Sequence, residues 1–258
     1  GGGNKVLTKL KEIWREQKVK AMQKYTYYDY APPSKSLHLD LDLIVYKDKI
    51  FKTVSISEPK NYKERDETRP SFDPLKVVSI RLAKMLINLA EAKNTIVDPF
   101  CGTGTILQEA LLMGYQVIGI DISINAARTN IAWLGKIKEK AVLKEGDASK
   151  VMNTLGSIEA IVTEPYLGPY LKKIPTDETA RSIIKDLERL YRRFFKAVSQ
   201  HLKGKMVMII PVIRTYKRRF SLPMEDMLNE AGLKIAKSPH QSIPFPLPYD
   251  KKHSKIER

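Results

Sequence analysis

From residue 95 onward the chain alternates short, uninterrupted apolar runs with longer amphipathic segments, and few folds accept that order. Thr95-Ile96-Val97-Asp98, Gln116 to Asp121, Ala141-Val142-Leu143, Ile158 to Thr163 and Met206 to Ile210 read as strands buried on both faces. Ile80 to Leu89, Ile106 to Met113, Ile124 to Leu134 and residues 177–201 read as helices. In the last of these, Ile183, Ile184, Leu187, Leu190, Tyr191, Phe194, Phe195 and Val198 form an apolar stripe, and Gly204 is expected just past its end. Buried strands separated by helices predict an α/β, doubly wound, mostly parallel sheet. In such sheets ligands bind beyond the carboxyl ends of the strands.

The first 60 residues follow a different pattern. Val6, Leu7, Leu10, Ile13 and Trp14 recur at helical spacing within residues 5–24, and Tyr25 to Pro33 breaks that helix. Leu37, Leu39, Leu41 and Leu43 then alternate with His38, Asp40 and Asp42, and Lys47-Asp48 is expected to turn this strand into a second, Ile50 to Ile56. Residues 1–60 thus predict a small N-terminal helix-plus-hairpin extension, and residues 61–258 the main domain. Strand alternation accounts for His38 and its neighbouring aspartates, so no metal site is expected. With 258 residues, 43% of them apolar, a core is affordable; a single cysteine excludes a disulfide framework and a thiolate zinc site, and fits a reducing compartment. The longest apolar run, Met206 to Ile213, is short and broken by Pro211, so no membrane span is expected. Gly1-Gly2-Gly3 reads as an expression remnant rather than a signal, and a soluble cytoplasmic protein is expected.

The segment Asp98-Pro99-Phe100-Cys101-Gly102-Thr103-Gly104-Thr105 joins the first of these strands to a helix. Two glycines permit a tight turn and let a ligand lie against bare backbone, at a helix start rich in N–H donors. A phosphate loop would use the same parts. There is, however, no Gly-Lys-Ser/Thr ending, and Leu107 stands where a dinucleotide fingerprint has its third glycine. Asp98 also brings a carboxylate, which repels phosphate and suits a cation such as the ammonium and sulfonium of S-adenosylmethionine. Asp121 closes the next strand, placed to accept from ribose hydroxyls. Asp147, in Gly146-Asp147-Ala148 after the third, is placed to meet an adenine amine, although each aspartate could equally cap a turn.

Charge adds a second ligand class. The net charge of +16 divides as +5 over residues 1–60, zero over 61–180 and +11 over 181–258. A neutral middle beside a basic final third suggests a small-ligand chamber next to a polyanion surface, with a lysine-rich solubilising surface as the plainer alternative. Arg214, Lys217, Arg218 and Arg219 interleave with Tyr216 and Phe220 directly after the fifth strand, and Lys172-Lys173 follows the fourth. Arg189, Arg192 and Arg193 fit a solvated helix face. Phe245 and Tyr249, within the proline-rich stretch Pro239 to Lys255, could form a rim or a rigid connector.

The Asp98–Thr105 motif, preceded by Arg69-Pro70-Ser71-Phe72-Asp73-Pro74 and Arg81-Leu82-Ala83, resembles the class I methyltransferase domain of THUMP-associated RNA guanosine-2-N methyltransferases of the tRNA position-10 type. The likeness covers about residues 39–258. It implies a Rossmann-like methyltransferase fold, S-adenosylmethionine as cofactor and tRNA as partner, with no membrane or metal. It also implies that residues 1–60 are the tail of an RNA-binding region plus its linker. The cofactor residues it implies are Phe72, Asp98, Phe100, Gly102, Thr103, Gly104, Asp121, Ile122, Asp147, Ala148 and Glu164. Lys172, Lys173, Arg214, Lys217, Arg218 and Arg219 would meet RNA.

The reacting motif departs from that family. After the fourth strand the family has Asp or Asn, Pro, Pro and an aromatic residue, to hold an exocyclic amine and stack on its base. Here the chain reads Glu164-Pro165-Tyr166-Leu167. Glu164, Pro165 and Tyr166 are the expected catalytic residues, with Tyr166 stacking from a shifted position. The alternatives are an adenine or cytosine amine in DNA, or a catalytically silent RNA-binding module; a dinucleotide oxidoreductase is more remote. Cytosine carbon-5 chemistry needs a thiol at the base, and Cys101 lies in the cofactor loop instead.

Overall fold

The computed structural model describes residues 8–9, 12, 15–16, 43–46, 49–54, 59–71, 78–236 and 256–257. The chain divides into two compact units, Gly1–Glu64 and Arg65–Arg258. In the first, Thr8, Lys9, Glu12, Arg15 and Glu16 are helical, and the rest of the predicted 5–24 helix lies outside the described residues. Strands β1 (Leu43–Tyr46) and β2 (Lys49–Lys52) pair antiparallel, with Tyr46 opposite Lys49, so the turn falls on Lys47-Asp48. Residues 37–42, predicted as strand, are outside the described set. Helix α1 (Pro59–Thr68) follows.

The second unit is built on a five-stranded parallel sheet: β3 (Thr95–Asp98), β4 (Gln116–Asp121), β5 (Ala141–Glu145), β6 (Ile158–Thr163) and β7 (Leu202–Met208), in the order β5-β4-β3-β6-β7. The strand order reverses between β3 and β6, which makes the fold a doubly wound, Rossmann-like α/β sheet with its crevice at that switch point. Alternation along the strands feeds two cores. Ile96, Val117, Ala160 and Val162 face helices α2 (Ile80–Ala90), α3 (Thr105–Leu112) and α4 (Asn125–Trp133). Val97, Ile120 and Ile161 face the layer formed by α5 (Ala148–Met152), α6 (Asp177–His201) and α7 (Met224–Glu230).

Helix α6 buries Ile183, Leu187, Tyr191, Phe194, Phe195 and Val198 along one stripe, as its spacing predicts. Thr176 caps its start by accepting from Thr179 N at 3.2 Å, with Asp177 and Glu178 complementing the positive end of the helix. Its other end corrects the sequence reading. The helix runs to His201 and β7 begins at Leu202, so Gly204 is a strand residue rather than a cap. A Cβ at Gly204 would lie 2.0 Å from the Glu159 carbonyl oxygen, where the β6–β7 register is irregular. After β7, strands β8 (Val212–Arg214) and β9 (Arg219–Ser221) form a hairpin, and β10 (Ile256–Glu257) pairs with β8. Among the described residues no helix is long and apolar enough to cross a membrane.

Candidate active site

The glycine loop sits at the carboxyl end of β3 and is shaped by positive backbone angles. Gly102 has φ +51° and Gly104, immediately before α3, has φ +82°. Nothing lies within 4 Å of where a Cβ of Gly102 would stand, whereas a Cβ at Gly104 would press on Ala127 at 3.3 Å. The first glycine therefore leaves backbone open, and the second allows α4 to pack closely. Leu107 has its own accommodation. A Cβ at Gly119 would meet Leu107 Cδ1 at 2.4 Å, so the close helix–strand contact is permitted by a glycine on β4 instead of one on the helix. Cys101 is buried in the same wall, and burial pushes its thiol up.

Three acidic residues stand at successive strand ends, and each is partly engaged by backbone. Asp121 accepts from Gly102 N at 2.8 Å through Oδ2 and from Ser123 N at 3.1 Å through Oδ1, fixing the loop. Asp147 caps α5, with Oδ1 accepting from Ser149 N at 2.8 Å, so its capping role is realised. Asp98 is 1% exposed, and its Oδ1 accepts from Thr163 Oγ1 at 2.7 Å and Phe100 N at 3.2 Å. Burial, helped by the nearby charges of Asp121 and Glu164, raises its pKa to about 7 against the opposing effect of those two bonds.

The other residues implied for the cofactor take distinct places. Ile122 is 78% exposed beside Asp121, and Ala148 is buried at the start of α5. The Phe100 ring packs edge-on against Phe194 at 5.0 Å, toward α6. Phe72 lies outside the described residues. Thr103 is buried and belongs to a polar network that sequence reasoning missed. Asn130, fully buried on α4, accepts from Ser71 N at 2.9 Å and donates to the carbonyls of Ser71 and Thr103, each at 2.8 Å. Arg69 donates to Thr105 Oγ1 at 2.7 Å and pairs with Asp66, and Arg65 forms a forked pair with Glu109 on α3. The Arg69-Pro70-Ser71 motif is thereby stitched to the glycine loop. The only sequence signal was an asparagine amid the apolar positions of a helix.

The reacting motif follows β6 across the switch point. Pro165 is buried, Glu164 is half-buried and Tyr166 is 56% exposed. Buried Tyr191 donates its hydroxyl to the Tyr166 carbonyl at 2.8 Å, and Gly168, with φ +108°, passes close over Ile183. The structure thus brings Asp98, Asp121, the glycine loop and Thr163-Glu164 to one end of the sheet. Lys172 and Lys173 are exposed on the same connection. Arg214, Lys217, Arg218 and Arg219 are exposed on the β8–β9 hairpin, where Arg218 Nε pairs with Asp177 Oδ2 at 2.9 Å. Arg189 pairs with Asp186, and Arg192 with Glu188 and Glu230, as a solvated helix face would. The 239–255 stretch lies outside the described residues. Among the described residues no three potential metal ligands cluster.

Comparison with known proteins finds a match to the RMKL-like methyltransferase domain over residues 69–234 and a second, to a DNA methylase family, over residues 4–132. The tRNA (guanine(10)-N2)-dimethyltransferase of Pyrococcus abyssi is 33% identical over 59% of this chain and 44% of its own length. The protein of the same name from Methanothermobacter thermautotrophicus is 33% identical over 59% of this chain and 43% of its own. The matched region thus spans less than half the length of these curated relatives. Among solved structures, precorrin 8W decarboxylase of Methanobacterium thermoautotrophicum covers 73% of this chain and 91% of its own, at 18% identity and a TM-score of 0.43.

Proposed function

Since the chain belongs to the RMKL-like methyltransferase domain family, we propose that it methylates the exocyclic amine of a base in RNA, with guanosine in tRNA as substrate and S-adenosylmethionine as cofactor. The observation that supports this most is the crevice between β3 and β6, where the Asp98 carboxylate meets Thr163, next to Glu164. The residues there fit a cationic adenosyl ligand. Gly102 offers bare backbone, exposed Ile122 offers an apolar surface, and the mutual repulsion of Asp98, Asp121 and Glu164 is relieved by a cation and aggravated by a phosphate. The relatives named for tRNA guanine methylation support the substrate, and with it a cytoplasmic setting.

When bound, this cofactor supplies an electrophilic methyl group on sulfur. The chain's residues do the rest. Asp121, already fixed by two backbone N–H groups, keeps lone pairs for the ribose hydroxyls, and Asp147 takes the adenine amine with its second oxygen. Thr103 and Ala148 shape the walls, and Phe100 supplies its backbone. Glu164 and the Pro165 carbonyl accept from the N–H groups of the base amine, turn its delocalised lone pair toward the methyl carbon, and Glu164 takes up the proton it loses. Tyr166 stacks on the base, an interaction of about 1–3 kcal/mol. Lys172, Lys173, Arg214, Lys217, Arg218 and Arg219 neutralise backbone phosphates. Positioning and polarisation account for most of the catalysis.

The test is mass spectrometry of nucleosides from tRNA incubated with this chain and isotope-labelled cofactor. Labelled N2-methylguanosine is the expected product. The match to a DNA methylase family favours a second reading, adenine or cytosine amines in DNA. Label in N6-methyladenine or N4-methylcytosine from a DNA arm would replace the first reading, and cofactor binding with no transfer to either pool would make the chain a silent binding module.

A further inference from the structure

The β8–β9 hairpin carries side chains that pack it against the domain and others that face outward. Alternation turns Ile213 and Phe220 inward, and Phe220 is flanked by Arg181 of α6 and by Arg218, each guanidinium carbon 5.8 Å from the ring centroid. Arg218 also pairs with Asp177, the first residue of α6. This basic residue thus also pins the hairpin to the helix. The tip is closed by Thr215, whose Oγ1 accepts from Lys217 N at 3.2 Å and Arg218 N at 3.1 Å and whose N–H donates to the Arg218 carbonyl at 2.9 Å. So tight a turn leaves no room inside it for Tyr216, which is 84% exposed.

Two further features fit a nucleic-acid strand at that tip. Arg214 and Arg219 are direct cross-strand partners, both exposed, so two cationic side chains stand side by side on the hairpin, within reach of a polyanion. Lys173 precedes Asp177 by four residues, which an extended chain spans in about 14 Å, so the reacting connection and the pinned hairpin lie within a few nucleotides of each other. A protruding aromatic ring beside phosphate-binding cations is the arrangement that holds unpaired bases, whose faces are free. In a duplex those faces are covered by their neighbours.

We infer that Tyr216 is a stacking residue for an unpaired base near the methylated one, so the substrate must present a single-stranded segment to the hairpin. This rests on the nucleic-acid reading above and narrows its substrate. The test uses the whole chain and fluorescence anisotropy, with a labelled oligouridine single strand and a self-complementary RNA duplex as probes. Tyr216→Ala is expected to weaken single-strand binding about tenfold while leaving duplex binding unchanged, and Tyr216→Trp to retain it. Lys217→Ala is expected to reduce the salt dependence of binding by about one counterion. Affinity of S-adenosylhomocysteine, measured on the same variants, should not move. Equal single-strand affinity of wild type and Tyr216→Ala overturns the inference, as does an equal loss on single strand and duplex. If wild type methylates tRNA and Tyr216→Ala binds normally, only this inference fails. If Tyr216 governs single-strand binding but no pool is methylated, the inference stands and the enzymatic reading fails.

Discussion

Thr163 Oγ1 donates a 2.7 Å hydrogen bond to Asp98 Oδ1, so the residue that closes β3 is joined to the residue that closes β6 at the point where strand order reverses. The bond places a buried carboxyl, the glycine loop and the reacting motif in one rigid unit. It also partly offsets the cost of ionising Asp98 in a buried site.

The first prediction is a pH effect with opposite signs for stability and binding. The folded-state pKa of Asp98, about 7, lies above its ordinary 3.8. Its contribution to stability is therefore fully present below the ordinary value and is lost as pH rises through about 7. Asp98→Asn, which keeps both acceptor bonds possible, should flatten that decline in melting experiments. Binding of a cationic cofactor needs the carboxylate, so affinity for S-adenosylmethionine should rise about tenfold between pH ~6 and ~8, with a smaller rise for S-adenosylhomocysteine. Calorimetry on both ligands measures this, and identical profiles would detach Asp98 from the cationic centre.

Removing the carboxylate of Glu164 tests the chemical step. Glu164→Ala should lower turnover about 100-fold or more, as loss of one preorganised polar group does, and weaken cofactor binding far less than it slows transfer. Single-turnover rates on tRNA, set beside calorimetry, separate the two. Unchanged turnover would remove Glu164 from the mechanism.

Tyr191→Phe should act on the same loop from behind. The phenol is fully buried, burial holds its pKa up, and its hydroxyl serves the Tyr166 carbonyl. The substitution keeps the ring packed near Phe195 and deletes one bond, at about 1 kcal/mol of stability. Turnover is expected to fall several-fold with cofactor affinity intact. A parallel loss of cofactor affinity would show that the loop and the cofactor pocket are not separable.

Asn130→Ala should do the reverse and strike the cofactor loop. Three backbone groups lose their partner, that of Thr103 in a buried site and two at half-buried Ser71, a cost of about 2–4 kcal/mol. Calorimetry is expected to show weaker S-adenosylhomocysteine binding. Asn130→Asp keeps the acceptor for Ser71 N but sets a second oxygen against two carbonyls, so it should not rescue. Full rescue by aspartate would mean that the Thr103 contact is dispensable.

Gly119→Ala tests the accommodation of Leu107. The new methyl would meet Leu107 Cδ1 at 2.4 Å, and overpacking of this kind costs about 1–3 kcal/mol. The double variant with Leu107→Ala should melt higher than the sum of the two single losses predicts. Strict additivity would show that the two residues do not compete for space.

What could be read directly from the sequence was whatever local periodicity specifies. The β3, β4 and β6 boundaries, the stripe of α6 and the loop from Asp98 to Thr105 all fall where hydrophobic spacing puts them. Partnerships between distant residues were not readable. Nothing local marks Asn130 as the link between Ser71 and Thr103, or Gly119 as the residue that makes room for Leu107, because both follow from how α3 and α4 settle on the sheet. Gly204 shows the converse, since a glycine after a helix has two uses and only the approach of the Glu159 carbonyl selects the second. The pairing of Arg218 with Asp177 was hidden for the same reason, since the two lie 41 positions apart in the chain.

The absence of any connector between His201 and Leu202 has a mechanical outcome. A helix of 25 residues is a rod about 37 Å long. One end of this rod is fused to the outermost strand of the sheet, and the other is clamped to the hairpin by Asp177. Torque applied by a docked polymer at the clamp is delivered to the sheet's margin without a slack segment to absorb it. An inserted residue at that seam would turn the helix's apolar face by about 100° against the sheet, with no loop to absorb the change.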